Sequence, residues 1–333
     1  MTQSSDAIVP LGAIRFNSDS QKLEYWNGSA WFQIQTFSPN YDGGVRGFFI
    51  GGLIPSGTSD RIEFITISTQ GNATDFGNLI AAKAAAGTCA SNTRGLMGGG
   101  GGGGNVNTIQ FWTFSSIGDA VDFGDLTSAR HWTQPASNQT RGVWAGGYPG
   151  VNIIEFVTMA SAGNSVNFGD MSYVTAVGAN SANNSPTRGF FGGGTPTNNN
   201  IIEFINFGST GNSMDFGDSS TQIAREARGS NATRALLIGG VRPEPSASTI
   251  VDFFTMSSLG NAVEFGDAGS SISNSSGCSD CVRVAFAHGN NPSTTDTIEY
   301  INISTGGDAV DFGNLSQSRD HMGGCSNGHG GLG

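Results

Sequence analysis

The chain has 333 residues, 15 Lys and Arg against 26 Asp and Glu for a net charge of -11, and only 12% charged positions alongside 52 glycines. That acidic balance excludes the phosphate contacts on which nucleic-acid binding rests and disfavours anionic membranes. No stretch approaches the roughly 20 apolar residues of a membrane span, and Met1 to Asp6 has neither the basic start nor the apolar run of a secretion signal, so assembly in a cytoplasm is expected.

Residues 1–40 stand apart from the rest. Leu11 to Asn17 and Lys22 to Ile34 read as strands around a Ser-Asp-Ser turn, with an Asn27-Gly28 hairpin turn. They predict a small N-terminal β module. From residue 41 to 333 one pattern is written six times: an Arg that opens a short apolar strand, a middle block such as Ile-Glu-Phe, and a final block such as Asp-Phe-Gly-Asp. The repeat arginines are Arg46, Arg94, Arg141, Arg188, Arg234 and Arg283. The middle aromatics are Phe64, Phe111, Phe156, Phe204, Phe253 and Tyr300, and the late phenylalanines are Phe76, Phe123, Phe168, Phe216, Phe265 and Phe312. Twelve residues separate the two aromatics in every repeat, whereas the step from arginine to middle aromatic runs 18, 17, 15, 16, 19 and 17. Insertions are therefore confined to one loop per repeat.

Each repeat reads as four short strands rich in Ile, Val, Phe and Thr, separated by Gly, Asn, Ser and Asp turns, with no helical periodicity. Four strands at a period of about 47 residues predict a six-bladed β-propeller, an architecture that divides its core among blade interfaces. The phenylalanines are expected to fill those interfaces. Because the innermost strand precedes each Arg-Gly, the chain enters the first blade on its second strand. Residues 316–326, with Ser318 to Cys325 in the inner-strand position, are predicted to close the ring and remove an exposed edge.

In such blades the loops between second and third strands share one face with the loops that lead into the inner strands. The length-variable loops run from Leu53 to Asp60, Gly101 to Asn107, Tyr148 to Asn152, Thr195 to Asn200, Val241 to Ser248 and Gly289 to Asp296. The constant turns, such as Gly71-Asn72 and Gly118-Asp119, fall on the other face, where the chain also enters and leaves the ring. Loops on rigid scaffolds commonly carry recognition. Tyr148, Pro149, Arg242 and Glu244 are the candidate binding residues, with drift of unconstrained loops as the alternative.

The Gly-Gly that ends the second strand (Gly51-Gly52, Gly146-Gly147, Gly193-Gly194, Gly239-Gly240) resembles kelch-type propellers, although the usual late tryptophan is missing and Asp-Phe-Gly-Asp is added. The run Gly-x-Ile-Arg-Phe-Asn with Leu-Glu-Tyr-Trp-Asn-Gly-x-x-Trp resembles a short β module of bacteriophage tail fibres. The repeat is similar to repeats in large structural proteins of phages, cyanophages especially. These resemblances imply a virion protein that joins other virion proteins through its N-terminal module, forms homo-oligomers and binds a host glycan or protein receptor.

Other features look chemical. The run Gly98 to Gly104 lacks the Lys-Ser/Thr and the helix of a phosphate cradle and reads as a loop. Cys278-Ser-Asp-Cys281 has the spacing of a zinc half-site, with Cys89 and Cys325 in comparable inner-strand positions, so a shared metal or disulfide is a geometric alternative to free thiols. The repeat arginines, equivalent in every blade, are expected to pair with Glu63, Glu155, Glu203, Asp252 and Glu299, and Gln110 breaks that pairing. Carboxylate pairs such as Asp122/Asp125, Asp215/Asp218 and Glu264/Asp267 recur with the repeat, which favours turn capping over catalysis. No enzymatic activity and no cofactor are expected. A tail fibre or adsorption device is the leading expectation, with a head or neck decoration protein and a polysaccharide-degrading enzyme as the alternatives.

Overall fold

The computed structural model describes residues 9–17, 22–33, 45–195, 199–243, 245–290 and 293–332. Among them the fold is all-β, with one short 3-10 turn at Gly330–Leu332 and no α-helix. The chain divides into two compact units, Met1–Gly44 and Val45–Gly333.

In the first unit Ile14–Asn17, Lys22–Trp26 and Trp31–Gln33 form one antiparallel sheet. Asn27 Oδ1 shapes the hairpin turn by accepting the Ser29 and Ala30 amides at 2.9 and 2.8 Å. Leu11 and Gly12 lie in a turn ahead of the first strand, and the Ser-Asp-Ser turn falls outside the described residues. Strand alternation sorts the side chains into two kinds of face. One carries the Arg15–Glu24 ion pair at 2.8 Å and the Trp26–Trp31 contact. The other presents Ile14, Phe16, Leu23, Tyr25 and Phe32, all exposed.

The second unit contains six four-stranded antiparallel sheets. The first strands are Gly87–Ala90, Gln134–Ser137, Asn183–Asn184, Ala227–Ser230, Ser276–Ser279 and Gly323–Ser326. Each is followed by a second strand opening on a repeat arginine, then a third carrying the middle aromatic, then a fourth carrying the late phenylalanine. Five sheets are contiguous in sequence. The remaining one joins Gly323–Ser326 to Arg46–Ile50, with Cys325 opposite Phe48 and Gly323 opposite Ile50. First strands neighbour one another in repeat order, and Gly323–Ser326 touches both Gly87–Ala90 and Ser276–Ser279.

Apolar packing lies between sheets. Six clusters of buried residues each draw on two successive repeats, and one of them joins Phe312, Ala285 and Cys278 of the sixth to Phe49 and Ile65 of the first. The late phenylalanines sit in these clusters, edge-on to the middle aromatic of their own repeat in five of six cases, as for Phe156 and Phe168 at 5.6 Å and 90°. Edge-to-face pairs of this kind add roughly 0.5–1.5 kcal/mol beyond area burial.

The constant third-to-fourth turn also has a job between sheets. Asn164 Oδ1 accepts the Asp125 amide at 3.0 Å, and Gly163 donates its amide to Phe123 O at 2.7 Å, so the turn of one repeat extends the fourth strand of the repeat before it. Asp119, Asn212, Asn261, Asp308 and Asn72 repeat the contact, the last of them on Asn314 of the sixth repeat. This close approach explains the glycine of Asp-Phe-Gly-Asp. A Cβ at Gly124 would meet Gly163 O at 2.4 Å.

The repeat arginines do not pair with the repeat carboxylates as the sequence suggests. Each stacks over its own middle aromatic, as Arg188 does over Phe204 at 4.6 Å, and donates to carbonyls of the next repeat. Arg46 donates to Phe114 O at 2.7 Å, and Arg283 donates to Ile67 O at 3.3 Å. The physical reason is position: the arginines open the second strand at the turn end, whereas the carboxylates lie farther along the third strand, opposite its interior.

Candidate ligand-binding site

The carboxylates act at the loop end. Glu155 accepts the Thr127 amide, and Ser172, Ser220, Gly269 and Ser316 donate equivalently to Glu203, Asp252, Glu299 and Glu63. In each case the amide lies two residues past the late Phe-Gly-Asp/Asn block of the preceding repeat, within the long fourth strand for Ser172 and Gly269 and beyond its end for the others. Gln110 makes the same contact from the Ile80 amide at 2.7 Å, because a neutral amide oxygen accepts an N–H as a carboxylate does. Four of these carboxylates also meet an arginine or a histidine. Arg130 pairs with Glu155 and Arg319 with Glu63, both fully buried. Arg242 pairs with Asp252 at 2.5 Å, and His288 with Glu299 at 2.9 Å.

This arrangement corrects the sequence reading of Arg242. The residue is only 7% exposed, and besides Asp252 its guanidinium binds Gly239 O and Leu237 O at 2.8 and 3.3 Å. It braces a loop and presents nothing to solvent. Tyr148 is 47% exposed and precedes a cis peptide bond to Pro149, while Glu244 lies outside the described residues.

The loops after the second strands and those leading into the first strands meet at one end of the sheets. Single bridges tie them in all six: Leu53 to Asp320, Ala84 to Gly101, His131 to Tyr148, Val177 to Thr195, Ala224 to Val241, and Ser273 to Asn290. Two residues before the first strand, Ala85, Trp132, Arg225, Asn274 and His321 all adopt left-handed φ between 52° and 62°. Non-glycine residues in this region cost roughly 1–3 kcal/mol each and collect at functional sites. Amides link several of them in order: His321 donates to Asn274 O, Ala85 to His321 O, Trp132 to Ala85 O at 2.5 Å and Gly178 to Trp132 O.

Side chains here form a continuous platform. The His131 ring lies 5.0 Å from Tyr148 and 4.7 Å from Trp132. Trp132 continues to His321 at 5.8 Å, and the Arg225 guanidinium lies 5.9 Å over the indole. Asn105 holds His131 Nδ1 at 2.8 Å, and Asp320 holds His321 Nδ1 at 2.9 Å. Burial, reinforced by the nearby His321, lowers the His131 pKa below its ordinary 6.5, so this ring is neutral at neutral pH.

Of the residues singled out in the sequence, only Tyr148 joins this platform. His131 and His321 look unrelated by repeat position, and the sequence reading missed the signal that would have placed both at the same end, the alignment of Arg130-His131-Trp132 with Arg319-Asp320-His321. The cysteines do not assemble a site. Cys278 is buried while Cys281 is exposed, all four are free thiols, and burial pushes the Cys89, Cys278 and Cys325 thiols up. No metal-binding cluster occurs among the described residues. A cavity of about 10 Å³ beside Cys89, Cys278, Cys325 and His329 has room for about one water. No protein-family model matches the chain, and no curated protein matches it either.

Proposed function

We propose that the second unit is a six-bladed, kelch-like propeller and that the protein is a non-enzymatic virion component, a tail fibre or similar adsorption device that presents the loop end to a host receptor. The carrying observation is a division of labour within this unit. One end of the sheets is committed to repeat-invariant hydrogen bonds between the turn of one repeat and the fourth strand of the repeat before it, and the other bears loops of differing length, one of which exposes Tyr148. The cycle of first-strand contacts and the apolar cluster shared by the sixth and first repeats support the ring. The uncovered apolar face of the N-terminal sheet supports its role as the docking surface for another virion protein. That face gathers five exposed large apolar side chains, Ile14, Phe16, Leu23, Tyr25 and Phe32, and contiguous exposed apolar patches mark interaction sites. A second copy seated on the same face is the other occupant, and sedimentation of the free protein separates the two.

The test is adsorption. Shortening the exposed tips of the six loops to Gly-Ser while keeping the bridging residues, Arg242, His288 and their carboxylates should leave stability within about half a kcal/mol, as exposed loop changes usually do. Particles carrying this change should lose host binding. Adsorption at the unmodified rate would replace the receptor reading with a head or neck decoration, and release of sugar from host polysaccharide would make the protein a depolymerase.

A further inference from the structure

We propose that the Trp132 platform binds an uncharged pyranose, a sugar of the neutral polysaccharide class; the inference rests on the receptor reading and names its ligand chemistry. The first argument is reach. Trp132 is flanked in the ordered series by Ala85 on one side and Gly178 on the other. Neither has a side chain large enough to wall in the indole. Trp132 thus meets His321 beyond Ala85 and Arg225 beyond Gly178, spanning repeats that are not neighbours in sequence.

The second argument is chemistry. Aromatic faces carry negative quadrupole potential and attract the weakly positive axial C–H groups of a pyranose, and Trp and Tyr combine such a face with a polar tip. Tyr148, His131 and Trp132 supply three adjoining rings, the middle one neutral and fixed by Asn105. Among the described residues, the Trp132 Nε1 donor and the Asn274 Oδ1 acceptor have no hydrogen-bonding partner. Orphaned buried groups of that kind call for a partner from outside. A sugar hydroxyl satisfies either, since it both donates and accepts.

Charge selects the neutral class. The protein carries a net charge of -11, and the cation beside the indole, Arg225, is set against the Asp320 carboxylate that holds His321. A polyanionic glycan, like a nucleic acid, would need a basic surface that the platform does not offer.

The experiment uses the full chain and calorimetry with neutral gluco- and galacto-oligosaccharides, with oligogalacturonate as the acidic comparison. Trp132→Ala places at this position the residue that Ala85 already holds in left-handed geometry, and Tyr148→Ala removes an exposed ring, so neither should shift the melting profile. Each should weaken binding of the neutral sugar about tenfold or more, the loss typical of an aromatic hot spot. Binding of no neutral sugar, binding undiminished by Trp132→Ala, or preference for oligogalacturonate would overturn the proposal. Particles separate it from the receptor reading: if Trp132→Ala particles adsorb normally while loop-shortened ones do not, the sugar site falls and the receptor function stands. If both adsorb normally, both fall.

Discussion

Single residues in this fold are constrained chiefly by the neighbouring repeat. Gly124 has φ of 148° and backbone oxygen where a side chain would go. Gly124→Ala should destabilise the second unit by about 2 kcal/mol through the steric conflict, read as a lower denaturation midpoint at unchanged slope; an unchanged midpoint would show that the turn of Gly163 is free to yield. His329 tests a different constraint. Its Nε2 donates to Ala90 O at 2.8 Å and its Nδ1 accepts the Gly331 amide at 3.1 Å, so the buried ring is satisfied as the neutral form. Burial lowers its pKa from 6.5 to about 4. The unfolded chain therefore binds the proton first as pH falls below 6.5, and folding stability should drop by up to about 1.4 kcal/mol per pH unit down to about pH 4. Denaturation curves at pH 7, 5.5 and 4.5 should show this slope in the native chain and less of it in His329→Gln; equal slopes would assign the acid sensitivity elsewhere.

At the scale of elements, strand positions were legible because burial imposes period on Phe76, Phe123 and their equivalents. Partners of the repeat carboxylates were not. Each carboxylate has one invariant task, accepting an amide, and four of the five have a variable one, meeting an arginine or histidine that a loop supplies. Arg130 and Arg319 share one position in loops entering first strands, whereas Arg242 and His288 come from loops leaving second strands, so no single spacing announces all four. The Trp132 platform was hidden for a related reason: Trp132, Arg225 and His321 share a backbone conformation while differing in residue type. The strand Gly323–Ser326 carries a direct prediction. Truncation after Asn314 would leave Arg46–Ile50 with an unpaired edge and uncover Phe48 and Phe49, both fully buried. The shortened chain should aggregate. A soluble product with an unchanged melting profile would show that this pairing is dispensable.

For the whole molecule, the division into Met1–Gly44 and Val45–Gly333 predicts that the second unit folds without the first. A chain beginning at Tyr41 should keep its melting profile yet fail to join particles, on the proposal that the N-terminal sheet is the attachment surface. Incorporation of that chain at the normal level would move attachment to the second unit.

The sheet built from Arg46–Ile50 and Gly323–Ser326 also sets an order of events during synthesis. The first strands of this unit to be translated must wait for nearly the last before their sheet is complete. Contacts so distant in sequence form late and slowly. Throughout translation the waiting edge and its phenylalanines are recognisable to proteases and chaperones as unfinished. An interrupted polypeptide would therefore keep an unpaired edge, and only a chain translated through Ser326 can complete that sheet.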